Sequence, residues 1–450
     1  MPSARRNQVD AGSPCSIIRD VQSLWTIAAI AEPHPLMILP FGVMLLAIAL
    51  MPFLNGHWWE RHYPKVAASL GLVTTLYYLF GLKRPERMLH VAFEYVSFMA
   101  LIGSLFVISG GIHIRVKKAA TPMANCMFLL AGAVLANIIG TTGASILLIR
   151  PWIRMNQNRI KPFHVVFFIF IVSNIGGCLT PIGDPPLFLG YLKGVPFWWV
   201  FAACWPAWVI AVGSLLAAFF VLDRRDVPRS PPPEPMPEKW AFSGLRNLVF
   251  LAVVLMAVFL RYPPFLSEGI MIAAAVGSYF ATPKNVHREN DFNFHPIIEV
   301  AWLFVGIFAT MVPALDYLQI HSKELGLASD AAFFWLTGGL SAALDNAPTY
   351  LTFLAAAMGR QDLSLDDPAQ LHQLLQINRH EAIAISLGAV FFGAMTYIGN
   401  GPNFMVKTIA ERMKVKMPGF LAYLLIYAAP ILLPLFALIT ILFLSRWRVF

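Results

Sequence analysis

Residues 177–188 read Gly-Cys-Leu-Thr-Pro-Ile-Gly-Asp-Pro-Pro-Leu-Phe, and residues 393–404 read Gly-Ala-Met-Thr-Tyr-Ile-Gly-Asn-Gly-Pro-Asn-Phe. Six of the twelve positions are identical: Gly177/Gly393, Thr180/Thr396, Ile182/Ile398, Gly183/Gly399, Pro186/Pro402 and Phe188/Phe404. Each copy interrupts an apolar run with glycine, proline, threonine and one acid or amide. In a soluble protein this would be a surface turn. Whether it is a turn here depends on the solvent around it.

Composition points to lipid. Hydrophobic residues make up 58% of the 450 and charged residues only 13%, against about 25% charged in an average soluble domain. Mean hydropathy is +0.66, and apolar runs near the ~20 residues needed to cross a bilayer recur along the chain. The formal net charge of +9 could indicate nucleic acid. Lys and Arg instead fall in short loops between apolar runs, where they set topology, so no nucleic-acid partner is expected. The four cysteines, Cys15, Cys126, Cys178 and Cys204, have no CxxC spacing, which predicts neither a disulfide framework nor a zinc site. No secretory signal is evident before the first apolar run.

The order of segments predicts a polar tail over 1–35, a first membrane repeat over 36–222, a Pro-rich linker over 223–243 and a second repeat over 244–446. In the first repeat, spans are expected at Leu36–Leu54, Val66–Leu82, Ala92–Ile114 and Trp198–Leu222. Met123–Ile149 carries Asn137-Ile-Ile-Gly-Thr-Thr-Gly-Ala-Ser145 in its middle. Irregular backbone at membrane depth must be buried in protein or line a wet cavity, so this reads as a re-entrant hairpin with its tip at Gly140–Ser145. One long span kinked at glycine is the alternative. Phe163–Gly177 then runs into the opening motif as a broken helix. The second repeat follows the same programme, with spans at Leu245–Leu260, Phe265–Ala281, Ile298–Leu318 and Phe420–Leu444. A second hairpin covers Ala331–Met358, and a second broken helix starts at Ala382. The landmarks recur at steady offsets: Glu94 to Glu299 is 205 residues, Ser145 to Thr349 is 204, and both Thr180 to Thr396 and His164 to His380 are 216. One loop insertion accounts for the step.

Five crossings per half plus a returning hairpin make about ten in all, and an odd number inverts the second half. The predicted fold is an all-α polytopic membrane protein, an inverted-repeat secondary transporter with two re-entrant hairpins and two broken helices. With that layout, the loops of one face carry 20 of the 33 Lys and Arg and the other face 13. Positive-inside topology then puts both termini outside, in a bacterial inner (cell) membrane. His164 and His380 are expected at the membrane surface.

Unwound helices free backbone carbonyls for cations, and half-helix N-termini attract anions. Thr141, Thr142, Ser145, Asn174, Thr180, Asn346, Thr349, Thr396, Asn400 and Asn403 supply neutral oxygens near the breaks. Asp184 and Asp345 supply carboxylates, which are costly inside a membrane. Asp184, Asp345, Asn346 and Thr396 are the sodium-site candidates, and Asp184, Asp345 and Glu299 are the candidates for proton linkage. A plain alternative is that Asp184 caps the helix that follows it. No HExxH, phosphate-loop or GxSxG motif is present, so no enzyme activity, ATP drive or cofactor is expected. The partners expected are the lipid bilayer, a small inorganic cation, a carboxylate in the alternative reading, and a second copy of the chain.

These residues resemble a known group. A hairpin followed by a Gly/Thr/Pro-broken helix, duplicated with inversion, resembles the ion transporter superfamily. Leu344-Asp345-Asn346-Ala347-Pro348-Thr349 resembles the Asp-Asn hairpin tip of NhaD-type sodium/proton antiporters, and Glu299-Val-Ala-Trp-Leu-Phe-Val-Gly306 resembles their preceding span. Ser173-Asn174-Ile175-Gly176-Gly177 through Pro186 resembles a segment shared with citrate-transporter-like relatives. The resemblance covers roughly residues 90–445 and implies secondary transport with sodium held at hairpins and broken helices. The first tip, Gly140-Thr-Thr-Gly-Ala-Ser145, departs from the Asn-rich or Asp-Asn tips of many relatives. The expected function is sodium/proton antiport, with sodium- or proton-coupled symport of citrate or another carboxylate as the alternative and arsenite as a further substrate.

Overall fold

The computed structural model describes residues 32–115, 121–226, 241–260, 263–326 and 329–444. Most of the predicted tail, the body of the linker and Cys15 therefore lie outside the described residues. Residues 33–450 fall in one compact unit, and the chain is an all-helical polytopic membrane protein apart from one short ribbon. Helix α1 (Leu39–Leu76) breaks at Asn55 (φ −154°, ψ 73°), and α2 is Pro85–Gly110. Strand β1 (His113–Arg115) pairs antiparallel with β2 (Ala241–Ser243). Helices α3 (Pro122–Met155), α4 (Pro162–Ile171), α5 (Pro185–Lys193) and α6 (Phe197–Arg225) complete the first half. The second half contains α7 (Asn247–Ala257), α8 (Leu266–Ala281), α9 (Lys284–Glu289), α10 (His295–His321), α11 (Asp330–Ala343) and α12 (Asn346–Arg360). It ends with α13 (Pro368–Ile377), α14 (Arg379–Phe392), α15 (Gly401–Arg412) and the C-terminal helix α16 (Phe420–Leu444).

The outer surfaces of these helices are apolar. Phe280, Leu54, Trp198 and Met256 are each at least two-thirds exposed. An apolar coat of this kind is a lipid-facing surface. Among the described residues, six segments are long and apolar enough to cross a bilayer: Pro35–Pro52, Pro85–Gly110, Pro122–Met155, Phe197–Arg225, His295–Glu324 and Phe420–Leu444. One of them does not run straight. As a single rod of 34 residues, α3 would be about 50 Å long, yet Asn125 near its start donates to Asn156 just past its end, Nδ2 to Oδ1 at 2.8 Å. The chain therefore doubles back. The reversal is at Gly140, whose φ of 76° and ψ of 156° suit only a residue without Cβ. Helices α11 and α12 form a second hairpin: the Arg360 guanidinium lies 5.5 Å over the Phe333 ring, 27 positions earlier. The expected hairpins are both present, and the kinked-span alternative for α3 is excluded.

Some expectations need correction. Residues 55–65 are helical, not a loop, because Asn55 Oδ1 accepts from the Trp58 backbone N–H at 3.1 Å and starts a new helix. The expected spans over 245–260 and 265–281 fold as helices of 11 and 16 residues, shorter than the ~20 that cross a bilayer unaided. The polar loop over 359–380 contains α13, which Asp367 caps through the Ala369 N–H. His164 is fully buried within the protein, where the Asp223 carboxylate accepts from its ring at 3.0 Å.

Two groups of polar contacts at helix ends share no residue, and other pairs such as Arg360–Glu381 and Lys407–Glu411 belong to neither. One set joins Arg115–Glu289, Arg150–Asp291, Arg159–Asp223, Lys161–Asp226 and His164–Asp223. The other joins Arg87, Glu94, Lys193, Asp316 and Asp366.

Candidate functional site

The two motif copies build the same backbone shape, and their identities have physical reasons. Thr180 Oγ1 donates to the Asn137 carbonyl at 2.6 Å and accepts from the Gly183 N–H at 3.1 Å. Thr396 Oγ1 donates to the Ala342 carbonyl at 2.6 Å and accepts from the Gly399 N–H at 3.0 Å. Asn137 and Ala342 are themselves 205 positions apart, the repeat offset of the hairpins. A Cβ on Gly183 would lie 2.0 Å from the Gly177 oxygen, and one on Gly399 would lie 2.7 Å from the Gly393 oxygen. Glycine is therefore required at this crossing in both copies. Pro186 and Pro402 sit in the first turns of α5 and α15, where the missing N–H is not needed.

Unwinding exposes backbone groups that must find partners. Asn137 donates to the Gly176 carbonyl at 2.6 Å and accepts from the Leu179 N–H at 2.8 Å. In the other copy, Asn403 donates to the Gly393 and Thr396 carbonyls at 2.7 and 2.9 Å. The threonines and these asparagines thus hold the unwound segments open. Sequence reasoning placed Asn137 in the hairpin but gave it no role. Its signal was an amide side chain three residues before the tip in an otherwise apolar arm.

Asp184 lies at the centre. It is 1% exposed and occupies the N-cap position of α5, yet its side chain makes no capping bond to its own helix. Pro185 and Pro186 offer no N–H there, and the carboxylate turns inward. Oδ1 accepts from Thr141 Oγ1 at 2.7 Å and from Asn400 Nδ2 at 2.9 Å, while Oδ2 accepts from Asn346 Nδ2 at 2.7 Å. Each donor comes from a different element: the first hairpin, the second broken helix and the second hairpin. Asp184 and Asn400 occupy matching positions of the two motif copies, so the repeats meet at this bond.

The surroundings of Asp184 are electrostatically one-sided. Four helices begin at this point: the second arm of α3 at Thr141, α5 after Asp184, α12 at Asn346 and α15 after Asn400. Helix N-termini favour negative charge by ~0.3–1 kcal/mol each, more when partly buried. Hydrogen bonds to a charged group contribute about 1.5–3 kcal/mol each. Three such bonds offset the several kcal/mol that burying a carboxylate costs. Among the described residues, no Lys, Arg or His forms an ion pair with Asp184.

The other candidates divide. Asn174, fully buried, donates to Asn403 Oδ1 at 2.7 Å and to the Ile169 carbonyl at 2.8 Å, but its own Oδ1 has no partner among the described residues. A Cβ on Gly393 would be 2.9 Å from that oxygen and 3.5 Å from Asn346 Nδ2, so the unpaired acceptor borders the Asp184 cluster. Ser145 pairs with Ser173 at 2.7 Å, and Thr349 donates to the Asp345 carbonyl at 2.9 Å. Asp345 is half-buried and caps α12 through the Ala347 N–H at 2.9 Å; the capping role that was the plain alternative for Asp184 is played by Asp345. Thr142 lines a small recess beside Asp184, with Gly140, Thr141, Leu105 and Phe188. Glu299 is elsewhere. Its side chain is 40% exposed beside His295 at 4.0 Å, at the start of α10, and it contributes nothing to the cluster.

No curated protein matches the chain. Residues 31–444 match the family CitMHS_2, described as "Putative citrate transport". The match covers more than nine-tenths of the sequence, and the chain belongs to that citrate-transport family.

Proposed function

We propose that the chain is a cation-coupled secondary transporter of a di- or tricarboxylate, with the coupling ion, sodium or a proton, held at Asp184. The observation that carries this reading is a buried carboxylate on the first broken helix, clasped only by neutral donors from both hairpins and the second broken helix. Such a group gains most from a cation or a proton, and it responds to any movement of the four elements. The unpaired Asn174 oxygen beside it is a second acceptor of the kind a hard cation takes. The carboxylate substrate would face the four helix N-termini once the ion neutralises Asp184. Membership of a citrate-transport family supports the substrate class.

The inverted arrangement of the halves belongs to the same reading. Helix α4 starts at the contacts around His164 and Asp223, and α14 starts where Glu381 pairs with Arg360 at the end of the second hairpin. In this reading the two approach the centre from different ends, as alternating access between two faces requires. About ten crossings and an inner-membrane location with both termini outside complete the proposal.

Sodium/proton antiport is the second reading. It is favoured by one observation: no cationic side chain pairs with Asp184 among the described residues, so an organic anion would rest on helix dipoles alone. Purified protein in proteoliposomes with a preset pH gradient separates the two. Citrate-dependent dissipation supports symport. Dissipation by sodium without any organic acid refutes symport in favour of antiport.

A further inference from the structure

The second set of polar contacts is largely buried, with Asp366 at its more exposed edge. Lys193 Nζ lies 2.7 Å from Glu94 Oε1 and 2.7 Å from Asp366 Oδ1. Arg87 reaches Asp366 at 2.7 Å and Asp316 at 2.6 Å, and Tyr78 donates to Asp316 at 2.8 Å. Lys193, Glu94 and Asp316 are each under a tenth exposed. The ligating atoms of His90, Glu94 and Asp366 lie within 4.8 Å of one another, as in a metal site. The Lys193 ammonium is already ion-paired with two of the three and donates to Asp366, so the cluster reads as an ion network, not a metal centre.

Its members come from two groups of elements. Lys193 ends α5, the nine-residue half-helix that Asp184 begins, and Gly194 terminates it with φ 117°. Asp366 follows the second hairpin. Glu94 and Arg87 are on α2, Asp316 is on α10 and Tyr78 follows α1; none of these helices supplies a ligand to Asp184. A rigid rod of about 13 Å thus connects the Asp184 cluster to a charged contact with a separate set of helices. Breaking one partner of a buried pair leaves an uncompensated charge, so such a contact has two well-separated states.

We propose that Lys193 is a positioning residue for transport. Through Glu94 and Asp366 it holds the half-helix carrying Asp184 against α2, and this contact parts and re-forms in each transport cycle. The inference rests on reading Asp184 as the ion site.

Spin labels at Leu89→Cys on α2 and Leu192→Cys on α5, with the native cysteines replaced by serine, report the separation in nanodiscs without any substrate. Lys193→Gln is expected to add a longer-distance population. Lys193→Arg, which can pair with both carboxylates, is expected to keep the starting distribution. An unchanged distribution in Lys193→Gln overturns the proposal. The functional arm leaves Lys193 and Glu94 in place and joins the Leu89→Cys/Leu192→Cys pair with a reducible bis-methanethiosulfonate linker. Citrate- or sodium-driven signals in proteoliposomes should stop on linking and return with dithiothreitol, while sodium still raises the melting temperature. Full transport by the linked protein overturns the proposal. A wild-type chain that responds to neither citrate nor sodium refutes the functional reading instead, and leaves the spin-label result to decide this one.

Discussion

Replacing Thr141 by valine removes one hydrogen bond to Asp184 and almost no volume. Thr141 is 1% exposed and its hydroxyl lies 2.7 Å from Asp184 Oδ1, so the change opens no cavity and leaves the carboxylate with two donors. Hydrogen bonds to a charged group are worth about 1.5–3 kcal/mol, against about 0.5–1.5 kcal/mol between neutral groups. The expected cost of Thr141→Val is therefore about 1.5–3 kcal/mol of stability in the native chain. In an Asp184→Asn background the same change should cost ~1 kcal/mol less. Reversible unfolding in mixed micelles, run on wild type, both single variants and the double variant, measures that coupling. Equal costs in the two backgrounds, within the ~0.3–0.5 kcal/mol error of additivity, would refute the argument that a charged Asp184 organises the tips.

Gly183→Ala places a methyl 2.0 Å from the Gly177 oxygen and should abolish folded protein on size exclusion. Gly213→Ala, where a Cβ meets nothing within 4 Å on a helix, should be neutral or stabilise by up to about 1 kcal/mol. Asp223→Asn leaves Arg159 facing no carboxylate at the base of the first hairpin, and should cost about 3–5 kcal/mol; thermal unfolding in detergent checks it. Burial would raise the Asp366 carboxyl, but the Lys193 ammonium and the Arg87 guanidinium hold it well below the usual carboxylate range. A depressed folded value means the contribution is present above the unfolded pKa of about 3.9 and is lost as pH falls below it. The loss of stability on acidification below pH ~5 should accordingly be shallower in Asp366→Asn than in wild type.

How much of this was legible in the sequence depended on the range of each interaction. Hairpin tips and half-helices announced themselves locally, because Gly140, the Gly177/Gly183 pair and Pro185-Pro186 break a helix wherever they stand. The repeat was legible because both copies solve the same backbone problem with the same Thr, Gly and Pro. The division of labour between the two acids was not. Asp345 finds its partner two residues away and becomes a cap, whereas Asp184 finds partners 43, 162 and 216 residues away. Nothing in either local segment distinguishes the two outcomes except the paired prolines after Asp184, which remove the N–H groups a capping carboxylate would use. Glu299 looked equivalent to Glu94 because the two lie 205 residues apart, in step with the other landmarks of the repeat. Only Glu94 is covered, because Lys193 from a distant half-helix reaches it. The helical course of residues 55–65 was hidden for another reason: Asn55, a residue common in loops, caps the helix that follows.

The most direct test of the account is transport by Asp184→Asn beside Glu299→Gln, each purified and shown to be folded, in proteoliposomes with citrate and sodium supplied separately and together. The account predicts that Asp184→Asn loses ion-coupled transport by about a hundredfold, the scale of ~2.7 kcal/mol of ion binding, while Glu299→Gln keeps the wild-type rate. Wild-type ion coupling in Asp184→Asn, or its loss in Glu299→Gln alone, would contradict the assignment of the site.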